Sequence, residues 1–211
     1  MTSRNDLAQQ PPQPGQDLTS FPAVDGPAAR QWRAHSVSFG PWFFGTTGAS
    51  RFDLPDAGDK GTCYFADEVE TAVRESLGPR LSAAQTVTPD LAAAFTVSAI
   101  VPPSPRRYAD VNDKAAVRHG VTRELTTTVR YDVTNAWADA LHQAGFDGVR
   151  YASRFTTEAA ANSWALFGPK GPDASLPVVD AEQLTGSDAC AAAAGISVLA
   201  PPPAKRALRI I

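Results

Sequence analysis

An α+β fold is what the sequence predicts, on three observations. Short runs rich in β-branched and aromatic residues recur along the chain, segments with helical periodicity lie between them, and the two kinds do not alternate in a strict βαβ rhythm. With 211 residues the chain has room for one main core, because single domains run to ~100–200 residues.

Residues 1–29 hold the run Gln-Gln-Pro-Pro-Gln-Pro-Gly, few large apolar side chains, and neither a period of 2 nor one of 3.6. Burial cannot then offset the entropy of ordering, so a flexible extension is expected there. From Gln31 the character changes. Trp32, Phe39, Trp42, Phe43, Phe44 and Phe52 gather around Gly40-Pro41 and Gly45, which predicts short strands and a structured loop. Residues 61–66 read as a strand, since Thr62, Cys63, Tyr64 and Phe65 suit a pleated, half-buried surface. That strand feeds directly into a helix with Asp67 as its N-cap and Glu68 and Glu70 in the first turn. Ala72, Val73 and Leu77 form its buried stripe, and Gly78-Pro79 ends it.

A second strand is predicted over residues 95–101, stopped by Pro102-Pro103, and a shorter one over 108–111; residues 124–130 are too polar to assign. Residues 134–144 read as a helix capped by Thr134, with Trp137, Ala140 and Leu141 at helical spacing and Gly145 in the C′ position. A turn and strand over 146–151 and a strand over 164–168 follow. Beyond Gly171 one Ala-rich helix is expected within 181–194, then Pro201-Pro202-Pro203 and a basic tail containing Lys205, Arg206 and Arg209. The domain is thus placed at 30–171, with 172–211 as a C-terminal extension.

Composition excludes several functions. The chain is 43% hydrophobic and 19% charged with a net charge of −3, which fits neither a disordered polyelectrolyte nor a basic nucleic-acid coat, so direct nucleic-acid binding is not expected. Cys63 and Cys190 provide neither a disulfide framework nor zinc-ligand spacing, so a reducing compartment and no metal are expected. The polar first sixteen residues lack the apolar core of a secretory signal, and no run approaches the ~18 apolar residues of a membrane span. A soluble, cytoplasmic protein is the expectation.

Familiar motifs are missing: there is no G-x-G-x-x-G, no G-x-x-x-x-G-K, no H-E-x-x-H and no G-x-S-x-G. His35, His119 and His142 lie in different elements, and a lone histidine is more often a surface or capping residue than a base. What remains is a set of polar residues lodged among apolar ones: Arg33, Arg51, Tyr64, Glu75 and the pair Ser153-Arg154. Tyr64 and Glu75 are separated by a strand end and about two to three helical turns, so phenol and carboxylate can face one cleft. Taken singly, each also has a plainer explanation: Arg51 paired with Asp53, Tyr64 in a strand core, Glu75 on a helix surface beside Arg74. Residue types alone reach a soluble α+β domain with an anion site.

The order of these residues resembles the RES domain family. Trp32-Arg33-Ala34-His35, Arg51-Phe52-Asp53-Leu54-Pro55, Gly61-Thr62-Cys63-Tyr64-Phe65-Ala66, Ala72 and Glu75 carry the first half of the likeness. Thr122-Arg123-Glu124-Leu125, Trp137-Ala138, residues 145–154 and Ala165-Leu166-Phe167-Gly168 carry the second. The resemblance implies a fold related to ADP-ribosyltransferases, with two small, mostly antiparallel sheets flanked by helices and NAD held in the cleft between them. It implies cleavage of the bond between nicotinamide and ribose by phosphorolysis or hydrolysis. NAD is then a substrate and not a cofactor, and inorganic phosphate is a co-substrate in the first case. It further implies the toxin of a toxin–antitoxin pair, with a helix-turn-helix antitoxin covering the cleft as partner; a homodimer is the assembly considered.

Under that resemblance the catalytic set is Glu75, Arg51 and Tyr64, and the substrate-binding set is Arg33, Arg51, Tyr64 and Ser153. A guanidinium meets phosphate oxygens with parallel hydrogen bonds, which suits Arg33 and Arg51 to a pyrophosphate. Loss of nicotinamide leaves an oxocarbenium-like ribose, and the Glu75 carboxylate stabilises that charge as it develops. Tyr64 stacks on the nicotinamide or holds the ribose, and Ser153 bonds ribose or phosphate. Two departures stand out: a longer polar loop over 54–60, and Phe155-Thr156-Thr157-Glu158 where many relatives have a histidine. Two other readings stay open, an ADP-ribosyltransferase acting on a macromolecular or small acceptor, and a non-catalytic nucleotide-binding module.

Overall fold

The structure, a computed structural model, describes residues 8–81, 84–158, 161–193 and 195–200. Its strands are β1 (Ala23–Asp25), β2 (Gln31–Ser36), β3 (Phe43–Phe44), β4 (Lys60–Ala66), β5 (Thr86–Val87), β6 (Phe95–Ile100), β7 (Arg107–Asp110), β8 (Gly148–Ala152), β9 (Asn162–Pro169), β10 (Gly171–Pro172), β11 (Val178–Thr185) and β12 (Ser197–Val198). The helices are α1 (Val69–Leu77), α2 (Pro89–Ala93), α3 (Glu124–Thr127), α4 (Tyr131–Gln143) and α5 (Gly186–Ala192).

Eight strands form one mixed sheet in the order β1-β7-β8-β9-β4-β2-β6-β11, and β10-β3 and β12-β5 form two short ladders. Within the large sheet only β7 and β8 run parallel. Parallel neighbours need a long crossover, and the segment carrying α3 and α4 supplies it.

Side chains alternate between the two faces of each strand. On one face Cys63, Phe65, Ile100, Trp164 and Leu166 lie beneath Trp42 and Phe44. The other face carries two separate cores. Phe52, Trp137, Leu141, Phe146 and Tyr151 make the one beside α4, and Val73, Leu77, Val97, Cys190 and Ile196 make the one beside α1 and α5. Val69, Val73 and Leu77 recur every four residues, which is the stripe that seats α1 on the second core.

The mixed α+β class agrees with expectation, but the sheet arrangement differs. In place of two small sheets facing one cleft there is one large sheet, because β2 and β4 share the pair Trp32↔Ala66 and that pair joins two otherwise separate halves. By contrast β2 pairs with β6 along its whole length, from Gln31↔Ile100 to Ser36↔Phe95. β2 and β4 therefore touch at one end and part toward the other, which opens the sheet without dividing it.

Residues 8–29 depart from the flexible extension expected of them. β1 pairs with β7, Leu18 and Phe21 are buried in the α4-side core, and the Gln9 side chain bonds Gly120 O and Thr122 N. Two large side chains are too few to create a period, yet they suffice where a formed surface receives them. The expected helix at 181–194 is half strand: β11 runs through Thr185 along β6, and only from Gly186 does α5 form, placing Ala189 and Cys190 in the core. This part of the C-terminal region completes the sheet. Residues 1–7, the Pro201–Pro203 run and the basic tail lie outside the described residues.

Smaller differences follow from competing partners. Asp67 does not cap α1; its carboxylate accepts from Trp164 Nε1 at 2.7 Å and Asn162 Nδ2 at 3.0 Å, and Glu68 stands in the cap position without a side-chain bond. α4 starts at Tyr131, ahead of Thr134, and the unassigned stretch contains α3. Gly145, at φ 85°, does follow α4 as expected. Among the described residues no helix is long and apolar enough to cross a membrane.

Candidate active site

Where β2 and β4 part, a cleft of about 300 Å³ opens between the two cores. α1 borders it with Ala72, Glu75, Ser76 and Pro79 just beyond its end. These positions share one helical face, offset from the stripe that anchors the helix. The strands contribute Arg33, Tyr64, Tyr151 and Ser163, and the loop before β4 contributes Ser50 and Arg51.

Glu75 is held through both oxygens. Ser153 Oγ donates to Oε1 at 2.6 Å and the Tyr151 hydroxyl donates to Oε2 at 3.2 Å. Burial, reinforced by the negative charge of Glu75, keeps the Tyr151 phenol protonated well above its ordinary range, so it remains a donor. A carboxylate fixed at both oxygens presents its charge in one direction, into the cleft.

Arg51 faces the same space and is only 5% exposed. Its Nη1 donates to Thr128 O at 2.7 Å, and its guanidinium lies 5.5 Å from the centre of the Tyr131 ring. Among the described residues no carboxylate pairs with it. Burial is the main cause that lowers its basicity, but an arginine remains charged. The plainer reading of an Arg51–Asp53 pair therefore fails. Asp53 instead accepts from Ser50 N at 3.1 Å and from the Tyr64 hydroxyl at 2.8 Å.

Tyr64 thus fixes the turn that aims Arg51. Its oxygen also accepts from Phe52 N at 3.1 Å, while Thr62 Oγ1 donates to Phe52 O at 2.9 Å and Asp53 N donates to Asn135 Oδ1 at 3.0 Å. Burial first, then the Asp53 charge, hold the Tyr64 phenol well above the usual tyrosine range.

Arg33 lines the cleft from β2, but its terminal nitrogens are engaged. Nη1 donates to Tyr64 O at 2.8 Å and Nη2 to Phe43 O at 2.8 Å. Because β4 loses β2 as a partner here, its outward carbonyl needs a donor, and Arg33 provides it. Nε has no partner among the described residues.

Of the residues singled out from sequence, Arg33, Arg51, Tyr64 and Glu75 therefore line one cleft, and Ser153 supports it through Glu75. Tyr151, Tyr131 and the Asp53–Asn135 link were missed. A signal for Tyr151 existed: it lies two residues before Ser153 in extended chain, on the same face. None of the histidines borders the cleft. His35 sits between Ser98 Oγ and the Phe39 carbonyl, His119 packs on Phe21 and His142 on Phe167.

A family model for the RES domain matches residues 30–186. Among solved structures, the chain is similar to a toxin–antitoxin complex, MbcT-MbcA of M. tuberculosis. The match has 13% identity and a TM-score of 0.59, covering 79% of this chain and 90% of that one. At that identity the likeness is one of fold. No curated protein matches the sequence.

Proposed function

The chain belongs to the RES domain family, and on that premise we propose that it cleaves the N-glycosidic bond between nicotinamide and ribose in NAD. The observation that carries this reading is the placement of Arg51, a buried cation without a carboxylate partner, in one cleft with Glu75, a carboxylate held at both oxygens. A dinucleotide needs both: a cation for its phosphates, and a fixed negative charge where the ribose becomes positive. The opened sheet is read as the ADP-ribosyltransferase-like arrangement.

In the proposed reaction the bond from C1′ of the ribose to the nicotinamide nitrogen breaks, and its electron pair leaves with nicotinamide. Glu75 faces the oxocarbenium-like carbon, with Tyr151 and Ser153 holding it in place. Water then supplies the oxygen that bonds C1′, releasing a proton and ADP-ribose, or inorganic phosphate supplies it and ADP-ribose phosphate forms. Arg51 binds phosphate oxygens, Tyr64 holds the Arg51 turn, and Arg33 keeps the cleft open by satisfying the β4 edge.

The likeness in fold to the toxin of a toxin–antitoxin complex supports proposing a cytoplasmic NAD-depleting toxin restrained by an antitoxin. Mass analysis of the products after incubation with NAD, with and without phosphate, tests the chemistry. Phosphate-dependent ADP-ribose phosphate marks phosphorolysis and free ADP-ribose marks hydrolysis. ADP-ribose found only on an acceptor would replace this reading with transfer.

A further inference from the structure

Ser153 bonds Glu75, and the next residue, Arg154, has a part of its own. Arg154 Nη1 donates to Thr127 O at 3.2 Å, and Arg51 Nη1 donates to the following carbonyl, Thr128 O, at 2.7 Å. One short segment at the end of α3 thus gathers two guanidiniums from distant parts of the chain. Each also lies over an aromatic ring, Arg51 over Tyr131 at 5.5 Å and Arg154 over Phe155 at 4.6 Å. Neither pairs with a carboxylate among the described residues.

A guanidinium has five N–H donors, so most of each fork is left for another acceptor. The two charges also sense one another: after burial, the Arg154 charge is among the causes that lower the basicity of Arg51, and the Glu75 charge, which forms no ion pair with Arg51, acts in the opposite direction. Holding like charges together is unfavourable unless an anion accompanies them. A phosphate group has the charge and the tetrahedral oxygens to engage both forks.

We propose that Arg51 and Arg154 together form a phosphate subsite at the edge of the cleft, with Arg154 as a binding residue. Its ligand is a phosphate group, belonging either to the dinucleotide or to free inorganic phosphate. The proposal deepens the NAD-cleaving reading and rests on it for its place in the reaction, but binding alone tests it.

Calorimetric titration of the full chain uses inorganic phosphate alone, ADP-ribose alone, and phosphate in the presence of saturating ADP-ribose. If the subsite holds the dinucleotide, ADP-ribose excludes phosphate and Arg154→Gln weakens both by about tenfold or more, as expected for a lost charge-assisted bond. If it holds free phosphate, the two ligands bind together and Arg154→Gln weakens phosphate alone. In either case Arg154→Lys restores part of the loss. The proposal is overturned if a folded Arg154→Gln protein binds both ligands as the parent does, or if the parent binds neither. Failure of the parent to release nicotinamide, with this binding pattern intact, would instead remove the enzymatic reading and leave the subsite standing.

Discussion

At the scale of single residues, the division of labour around Glu75 makes two distinct expectations. Glu75→Gln removes a charge and leaves the shape, so NAD turnover should fall by about 10²–10³ while NAD affinity changes little. Tyr151→Phe keeps the carboxylate and removes one of its two donors. A bond to a charged group is worth ~1.5–3 kcal/mol, so steady-state turnover should drop by about 10- to 100-fold, less than for Glu75→Gln. Arg51, Tyr64, Glu75 and Ser153 were legible in the sequence because polar residues stood in apolar surroundings and in a recognisable order. Their division into roles was not. Tyr64 gave no sign that its hydroxyl grips the Arg51 turn, and Arg33 none that it answers a strand edge, because both roles depend on where other strands pass.

At the scale of elements, the end of α1 is set by packing as much as by its Gly78-Pro79 stop. A Cβ added at Gly78 would meet the Phe155 ring at 2.4 Å, and several ring atoms lie equally close, so the whole ring must move. Overpacking of this kind costs ~1–3 kcal/mol, and urea unfolding of Gly78→Ala should show a loss in that range. β2 makes a pH-dependent contribution through His35, whose burial lowers its pKa below the ordinary 6.5. Below about pH 6.5 the unfolded chain takes up a proton that the folded chain resists, so stability falls as pH drops toward the lower folded value. Unfolding free energies at about pH 7.5 and pH 5.5 should differ more in the parent than in His35→Gln. Strand and helix types were readable where apolar residues followed a helical period, as in α1, or formed a short unbroken apolar run, as in β9. The second half of β11 was not, since Ala181, Glu182, Gln183 and Leu184 are good helix formers that the β6 edge beside them holds extended.

At the scale of the whole molecule, the N-terminal segment belongs to the fold. Leu18 and Phe21 are each 2% exposed, and burying such side chains contributes ~1.5–3 kcal/mol apiece. A chain that starts at residue 30, where composition alone would place the domain boundary, should therefore unfold at a clearly lower temperature than the full chain. The single sheet teaches the same lesson. Composition and order predict α+β, but only pairing reveals that β2 and β4 meet at Trp32↔Ala66 and then part to make the cleft. The proposed function requires that this cleft act on NAD through Glu75. Its most direct test is chromatographic measurement of nicotinamide released from NAD by the full chain and by Glu75→Gln, each with and without phosphate. Release by the parent, lowered by about 10²–10³ in Glu75→Gln, is the predicted result; no release by the folded parent under either condition, or equal release by both proteins, would contradict it.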